Sequence, residues 1–106
     1  MKKQLTFCLA LLALLCTSAH AQLPSYLPTD GLVGWWPFNG NANDESGNGN
    51  DGVVNGATLG ADRFGNVGSA YFFDGLNDFI EVQASTSFNS IESVTVSLWI
   101  LPQSIV

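Results

Sequence analysis

The residues best suited to chemistry lie in one run, Asn-Gly-Asn-Ala-Asn-Asp-Glu-Ser-Gly-Asn-Gly-Asn-Asp-Gly over 39–52. Side-chain oxygens recur there at alternate positions, Asp44, Ser46 and Asn48, followed by Gly49. That spacing matches the first half of a calcium loop of the Asp-x-Asx-x-Asx-Gly kind, in which hard oxygen donors surround a hard cation. The match ends at Asn55, where a bidentate Glu is needed, and no helical pattern flanks the loop. Gly47, Gly49, Asp51 and Val53 also echo a calcium-binding nonapeptide, but that motif works in tandem and occurs here once. Asp44, Ser46 and Asn48 are therefore candidate ligands for a structural calcium, which suits so irregular an oxygen array better than magnesium. The competing reading is a turn whose Asx side chains cap their own backbone. Asp74, Asn77 and Asp78 crowd a second turn, where capping by Asp74 and Asn77 is preferred over chelation.

Catalytic chemistry finds less support. Glycoside hydrolases of the retaining type bring two carboxylates to about 5 Å from each other. Those built on jelly rolls carry such carboxylates at alternate positions of one strand. Here Glu81 and Glu92 stand alone, with no Glu-x-Asp-x-Glu run. The chain is read as a non-enzyme. Arg63 could clamp a carboxylate ligand through its planar fork, although pairing with a nearby Asp or backbone carbonyls is the preferred role. The adjacent Trp35 and Trp36 invite sugar stacking. The favoured reading makes one of them core and its neighbour loop-covered, because aromatics dominate small β cores.

Targeting accounts for the start of the chain. Lys2 and Lys3 precede an apolar run from Leu5 to Cys16, and Ala19-His20-Ala21 offers small residues for a peptidase. Residues 1–21 are therefore expected to be a cleaved secretory signal, the run being too short to span a bilayer. Both cysteines and the only histidine fall inside it. Disulfide staples, His/Cys zinc sites, Ser-His-Asp triads and thiol nucleophiles are thereby excluded from residues 22–106. Arg63 alone stands against nine carboxylates in that remainder, for a net charge of −8. Nucleic acid and anionic membrane surfaces are unsuitable partners for it.

The elements that must position these residues all read as β. Residues 22–29, with Pro24 and Pro28, form a short extended linker. Residues 32–38 are rich in strand formers, and Pro37 confines them to an edge, a strand end or a bulge. The run over 39–52 has no apolar residue larger than Ala42 and is predicted to be an exposed loop. Residues 53–59 form a weak second strand, and 60–68 a further loop.

The chain is organised around 69–82, where two apolar runs flank Asp74-Gly75-Leu76-Asn77, which predicts a hairpin with a four-residue connection. Within it Ile80 and Val82 share one face, while Phe79 and Glu81 share the other. Residues 83–93 are polar, with Phe88 and Ile91 as packing plugs. The cleanest alternation follows: Val94, Val96, Leu98 and Ile100 are predicted to face a core, with Trp99 on the second face as a platform or beneath a second layer. No stretch after residue 21 carries an apolar stripe at helical spacing.

Five stretches in this order resemble the opening of a laminin G-like domain. They are Gly-Leu-Val-Gly-Trp-Trp-Pro-Phe at 31–38, Asn-Asp-Glu-Ser-Gly-Asn-Gly-Asn-Asp-Gly at 43–52, Asp-Arg-Phe-Gly-Asn at 62–66, Tyr-Phe-Phe-Asp-Gly-Leu-Asn-Asp-Phe-Ile-Glu-Val at 71–82 and Val-Thr-Val-Ser-Leu-Trp-Ile at 94–100. The resemblance is to the concanavalin A-like jelly roll of secreted bacterial surface proteins, and it spans nearly all of 30–102. It implies an all-β, antiparallel jelly-roll sandwich, truncated at its C-terminal side. Residues 30–106 then supply the N-terminal part of one domain whose missing C-terminal strands are its own first partner.

A secreted, non-catalytic binding module for carbohydrate or protein at the cell surface is the function so implied, with glycans or a surface protein as partners. The alternatives are a structural spacer in a larger multidomain protein, or a fragment of a secreted glycoside hydrolase. Fold alone does not choose among them.

Overall fold

A computed structural model describes residues 22–89 and 91–104; the segment read as a secretory signal, 1–21, lies outside them. Among the described residues four short strands form: β1 (Gly52–Asn55), β2 (Thr58–Gly60), β3 (Ala70–Phe72) and β4 (Phe79–Val82). Thr86–Phe88 adds one 3-10 turn. The strands pair antiparallel as two small ladders, β1 with β4 and β2 with β3. The chain is thus β-rich, with antiparallel pairing throughout its strands.

This topology corrects the predicted hairpin over 69–82. Its two arms, β3 and β4, do not pair with each other but lie in different ladders. Residues 52–60 run as one interrupted strand and 70–82 return along it, so that the hairpin connection is 61–69. The register explains the interruption: Asn55 lies opposite Phe79, while Thr58 lies opposite Phe72. Only residues 56–57 separate the strands on one side, whereas 73–78 separate them on the other. The Asp-Gly turn is therefore an excursion from the returning strand. It satisfies the same local chemistry as a hairpin turn, because Leu76 N–H donates to Asp74 Oδ1 at 2.9 Å and Asp74 N–H donates to Asp78 Oδ2 at 2.9 Å. Asp78, not Asn77, is the second cap.

The bend in the outgoing strand needs glycine. Gly56 has φ +81°, and the carboxylate of Asp78 occupies the space a Cβ would take. The weak strand expected over 53–59 is split in two at this point.

Alternation within the first ladder follows the sequence. Val54 opposite Ile80 and Gly52 opposite Val82 are part-buried, while Val53 and its partner Glu81 turn outward. Gly52 matters here for want of a side chain: a Cβ would stand 2.8 Å from Ile80 Cγ2 and 3.0 Å from the Ala42 carbonyl. The close approach lets Gly52 N–H donate to Ala42 O at 2.8 Å. Covering an isoleucine in this way contributes about 1–2 kcal/mol for partial burial.

Two expected strands do not form. Residues 32–38 and 94–100 belong to no ladder. Val94, Val96, Leu98 and Ile100, predicted to face a core, are exposed by 68–76 % of their surface. Their alternation specifies a half-buried strand, but among the described residues no ladder partner or covering layer meets them. Phe88 and Ile91, read as plugs, are only partly covered, at 38 % and 39 % exposure.

Candidate functional site

The core is small and polar in origin. Among the described residues, the only two below 5 % exposure are Ala42 and Asn50, and both come from the run expected to be an exposed loop. Its Gly and Asn residues do turn the chain outside regular structure, with Gly40, Gly47 and Gly49 at positive φ. Its middle nevertheless folds inward.

Asp44 is the first reason. Its Oδ1 accepts from the backbone N–H groups of Trp35 and Ser46, both at 2.9 Å, and its Oδ2 accepts from Asn50 N–H at 3.0 Å. Burial pushes this carboxyl up, but the N–H donors of Trp35, Ser46 and Asn50, with the Ser46 side chain, outweigh it and hold Asp44 below the ordinary 3.8. The backbone of Asp44 is itself held by Asp51 Oδ1, at 2.9 Å. Glu45 N–H donates to Trp35 O at 2.8 Å and closes the contact between the loop and 32–38.

Asn50 is the second reason. Its N–H reaches Asp44, its carbonyl accepts from Trp36 Nε1 at 2.8 Å, and its Nδ2 donates to Val33 O at 2.8 Å. Ser85 Oγ donates to Asn50 Oδ1 at 2.7 Å. Every polar group of this buried residue is engaged, as burial requires. Stretches 33–36, 44–50 and 85 are thereby pinned at one point. Trp36 is committed to this junction and also covers Gly34, whose missing Cβ would collide with the indole. Trp36 thus packs at this junction but stays part-buried, as does Trp35, so neither takes the core position read for one of the pair.

These contacts bear on the calcium candidates. Asp44, Ser46 and Asn48 do come together, but through hydrogen bonds to one another and to backbone. Asn48 N–H and Nδ2 both donate to Ser46 Oγ, at 3.2 and 3.0 Å, and Nδ2 also reaches Leu32 O at 2.8 Å. The Asp44 carboxylate already accepts three N–H groups. A cation there would have to displace part of this network, so the donor set fits the capping role better than a ready calcium cage. Among the described residues no group of three His, Cys, Asp or Glu side chains is gathered for a metal ion.

A second constellation forms at the connection 61–69. Asp62 Oδ1 accepts from Phe64 and Asn66 N–H, each at 2.9 Å, and Oδ2 accepts from Asn66 Nδ2 at 2.9 Å. The Asn66 side chain, then its backbone amide, hold Asp62 below the usual carboxylate range. This cap fixes the loop that presents Arg63. The guanidinium lies 4.2 Å from the centroid of Phe64 and 4.2 Å from that of Trp99. Trp99 is 80 % exposed and Phe64 72 %. Sequence reasoning singled out Arg63 and Trp99 separately. Nothing in their spacing could join residues so far apart in the chain.

Phe38 ties the two regions together. It takes φ +58°, unusual for a residue with a Cβ, at a cost of about 1–2 kcal/mol. Its ring meets Tyr71 of β3 edge to face at 5.1 Å, and Gly40 N–H donates to both Phe38 O and Gly68 O. The strain is offset by docking 38–40 onto the second ladder.

Between 31–38 and 93–98 lies an open groove of about 670 Å³. Leu32, Trp36, Phe38, Val94, Val96 and Leu98 contribute to its walls, and no charged side chain lines it. Glu81, the carboxylate on a strand, points outward opposite Val53. The chain matches no protein-family model, no curated protein and no solved structure.

Proposed function

We propose that the chain is a secreted, non-catalytic binding module of laminin G-like, jelly-roll plan that recognises glycans or a surface protein. The observation that carries the reading is the exposed Phe64–Arg63–Trp99 stack. Aromatic faces of this kind pack on the C–H faces of pyranose rings, and tryptophan supplies a large area with a single N–H. A guanidinium held between rings keeps its N–H fork available at the edge, suited to a carboxylate or to vicinal hydroxyls. It is also the sole cationic side chain of residues 22–106, so an acidic sugar or acidic side chain has one place to bind on an otherwise repellent surface. Support also comes from the order of the motifs over 30–102 and from the export signal read at 1–21.

Screening the exported protein on a glycan array that includes uronic-acid and sialylated glycans, with and without calcium, tests this reading. Binding that falls at least about tenfold in both Trp99→Ala and Arg63→Ala is expected, about 1.4 kcal/mol for each side chain removed. No binding to any glycan ends the glycan version. Binding indifferent to both substitutions removes this stack as its site.

A further inference from the structure

The dipeptide Asn-Gly occurs three times, at 39–40, 48–49 and 55–56. It is a self-reactive pair, because glycine has no side chain to keep its backbone nitrogen away from the preceding side-chain amide. That nitrogen, after losing its proton to hydroxide, attacks the asparagine Cγ. The new N–Cγ bond closes a five-membered succinimide, and the Cγ–Nδ2 bond breaks to release ammonia, which takes up a proton. Water then opens either ring carbonyl. Opening at Cγ leaves aspartate; opening at the backbone carbon leaves isoaspartate, with the chain rerouted through Cγ. One water enters and one ammonia leaves, and nothing is oxidised or reduced.

The three pairs share this local chemistry but not their surroundings. At 39–40 the nucleophile is tied down, since Gly40 N–H donates to Phe38 O at 2.9 Å and to Gly68 O at 2.8 Å. At 48–49 the side-chain amide is tied down instead. Asn48 Nδ2 donates to Leu32 O, Val33 O and Ser46 Oγ at 2.8, 3.1 and 3.0 Å. Closing either ring requires those bonds to break first.

At 55–56 neither group is so held. The Asn55 side chain has one long bond, from Nδ2 to Val53 O at 3.4 Å, outside the usual N–H···O range. Gly56 is exposed, and its N–H enters no turn or loop hydrogen bond among the described residues. Asn55 is the last residue of β1, opposite Phe79. Turning its side chain onto the Gly56 nitrogen therefore opens only the end of a ladder, where opening costs least. Isoaspartate would add a methylene to the backbone just before the Gly56 bend. Either product puts a carboxylate one residue before the glycine that the Asp78 carboxylate covers, and the like charges repel. We infer that this chain modifies itself at Asn55, by deamidation through a succinimide with Gly56, while hydrogen bonds protect Asn39 and Asn48.

The test ages protein exported from the full chain at neutral pH and body temperature. A protease cleaving before Asp separates the three pairs into peptides 30–43, 44–50 and 51–61, and isoaspartyl methyltransferase labels the rearranged product. In the folded protein, conversion at Asn55 is expected to outrun that at Asn39 and at Asn48 by about tenfold or more, about 1.4 kcal/mol of barrier. In concentrated urea the three rates are expected to converge. Asn55→Gln, which would need a slower six-membered ring, is expected to lose the early acidic species and keep its circular dichroism spectrum. Equal rates in the folded chain, faster conversion at Asn39 or Asn48, or an early acidic species that survives Asn55→Gln overturns the proposal. So does a preference for Asn55 that persists unchanged in urea, because neighbouring residues rather than the fold would then set it.

Discussion

At Asn50 three stretches of chain meet and each polar atom of the residue has a partner. From Ser93 to Leu101 no residue belongs to a ladder, and the large side chains stand in solvent. The second stretch is by far the more apolar and has the better strand pattern. The contrast teaches that hydrophobicity orders a segment only where a complementary surface exists to receive it. Hydrogen bonds from a short acid and an amide can order a polar, glycine-rich loop when backbone donors converge on them. The Asp44–Asn50 junction is held by its own hydrogen bonds, whereas 93–101 meets the rest of the chain through Trp99 against Arg63 and along one wall of an open groove.

Removing the Asp44 carboxylate should sharpen this contrast most. Asp44→Ala orphans the N–H groups of Trp35, Ser46 and Asn50, and is expected to lower the unfolding free energy by about 3 kcal/mol in urea titrations. Val96→Ser, at an exposed position, should change it by less than about 0.5 kcal/mol. Equal effects would mean that the junction is no more ordered than the exposed segment.

Gly56→Ala comes next. It places a Cβ at φ +81° against the Asp78 carboxylate, and a loss of about 2 kcal/mol is expected from strain and displacement together. Asp78→Ala in the same background should recover part of the loss in thermal melts. Failure of that rescue would detach Asp78 from the bend.

Acid should weaken the junction selectively. Asp44 has a folded pKa below its ordinary 3.8, so its contribution is present in full above the unfolded value. It is lost as pH falls through the folded pKa. Asp62 is lowered as well, with the same sign at an exposed site. Melting temperature should therefore fall as pH drops below about 4, and Asp44→Asn should show a shallower fall. An identical slope would place the acid sensitivity elsewhere.

The smallest effect is expected from calcium. With Asp44 already accepting three N–H groups, neither added calcium nor a chelator should shift the melting midpoint. A rise with calcium would return Asp44, Ser46 and Asn48 to the role of ligands.

The β character of the chain, the alternation of Ile80 and Val82 against Phe79 and Glu81, and the capping chemistry of Asp74 were legible in the sequence, because each depends on neighbours within a few residues. The pairing of β3 and β4 was not. The Asp-Gly signal reports that the chain turns there, and a turn is compatible with both a hairpin and an excursion between two ladders. Which occurs depends on residues 52–60, which offer both arms a partner. The burial of Asn50 was equally illegible, since an Asn in a glycine-rich loop looks the same whether it faces water or the carbonyl of Val33.

Local stereochemistry and covalent order are thus written in the residues themselves: where glycine must bend the chain, where proline denies a ladder, how few charges can balance nine carboxylates. Long-range partnership belongs to the tertiary structure. It decided that Trp36 serves Asn50, that Arg63 stacks on Trp99 and that 94–100 finds no ladder. Such contacts depend on surfaces that exist only once distant parts of the chain have been brought together.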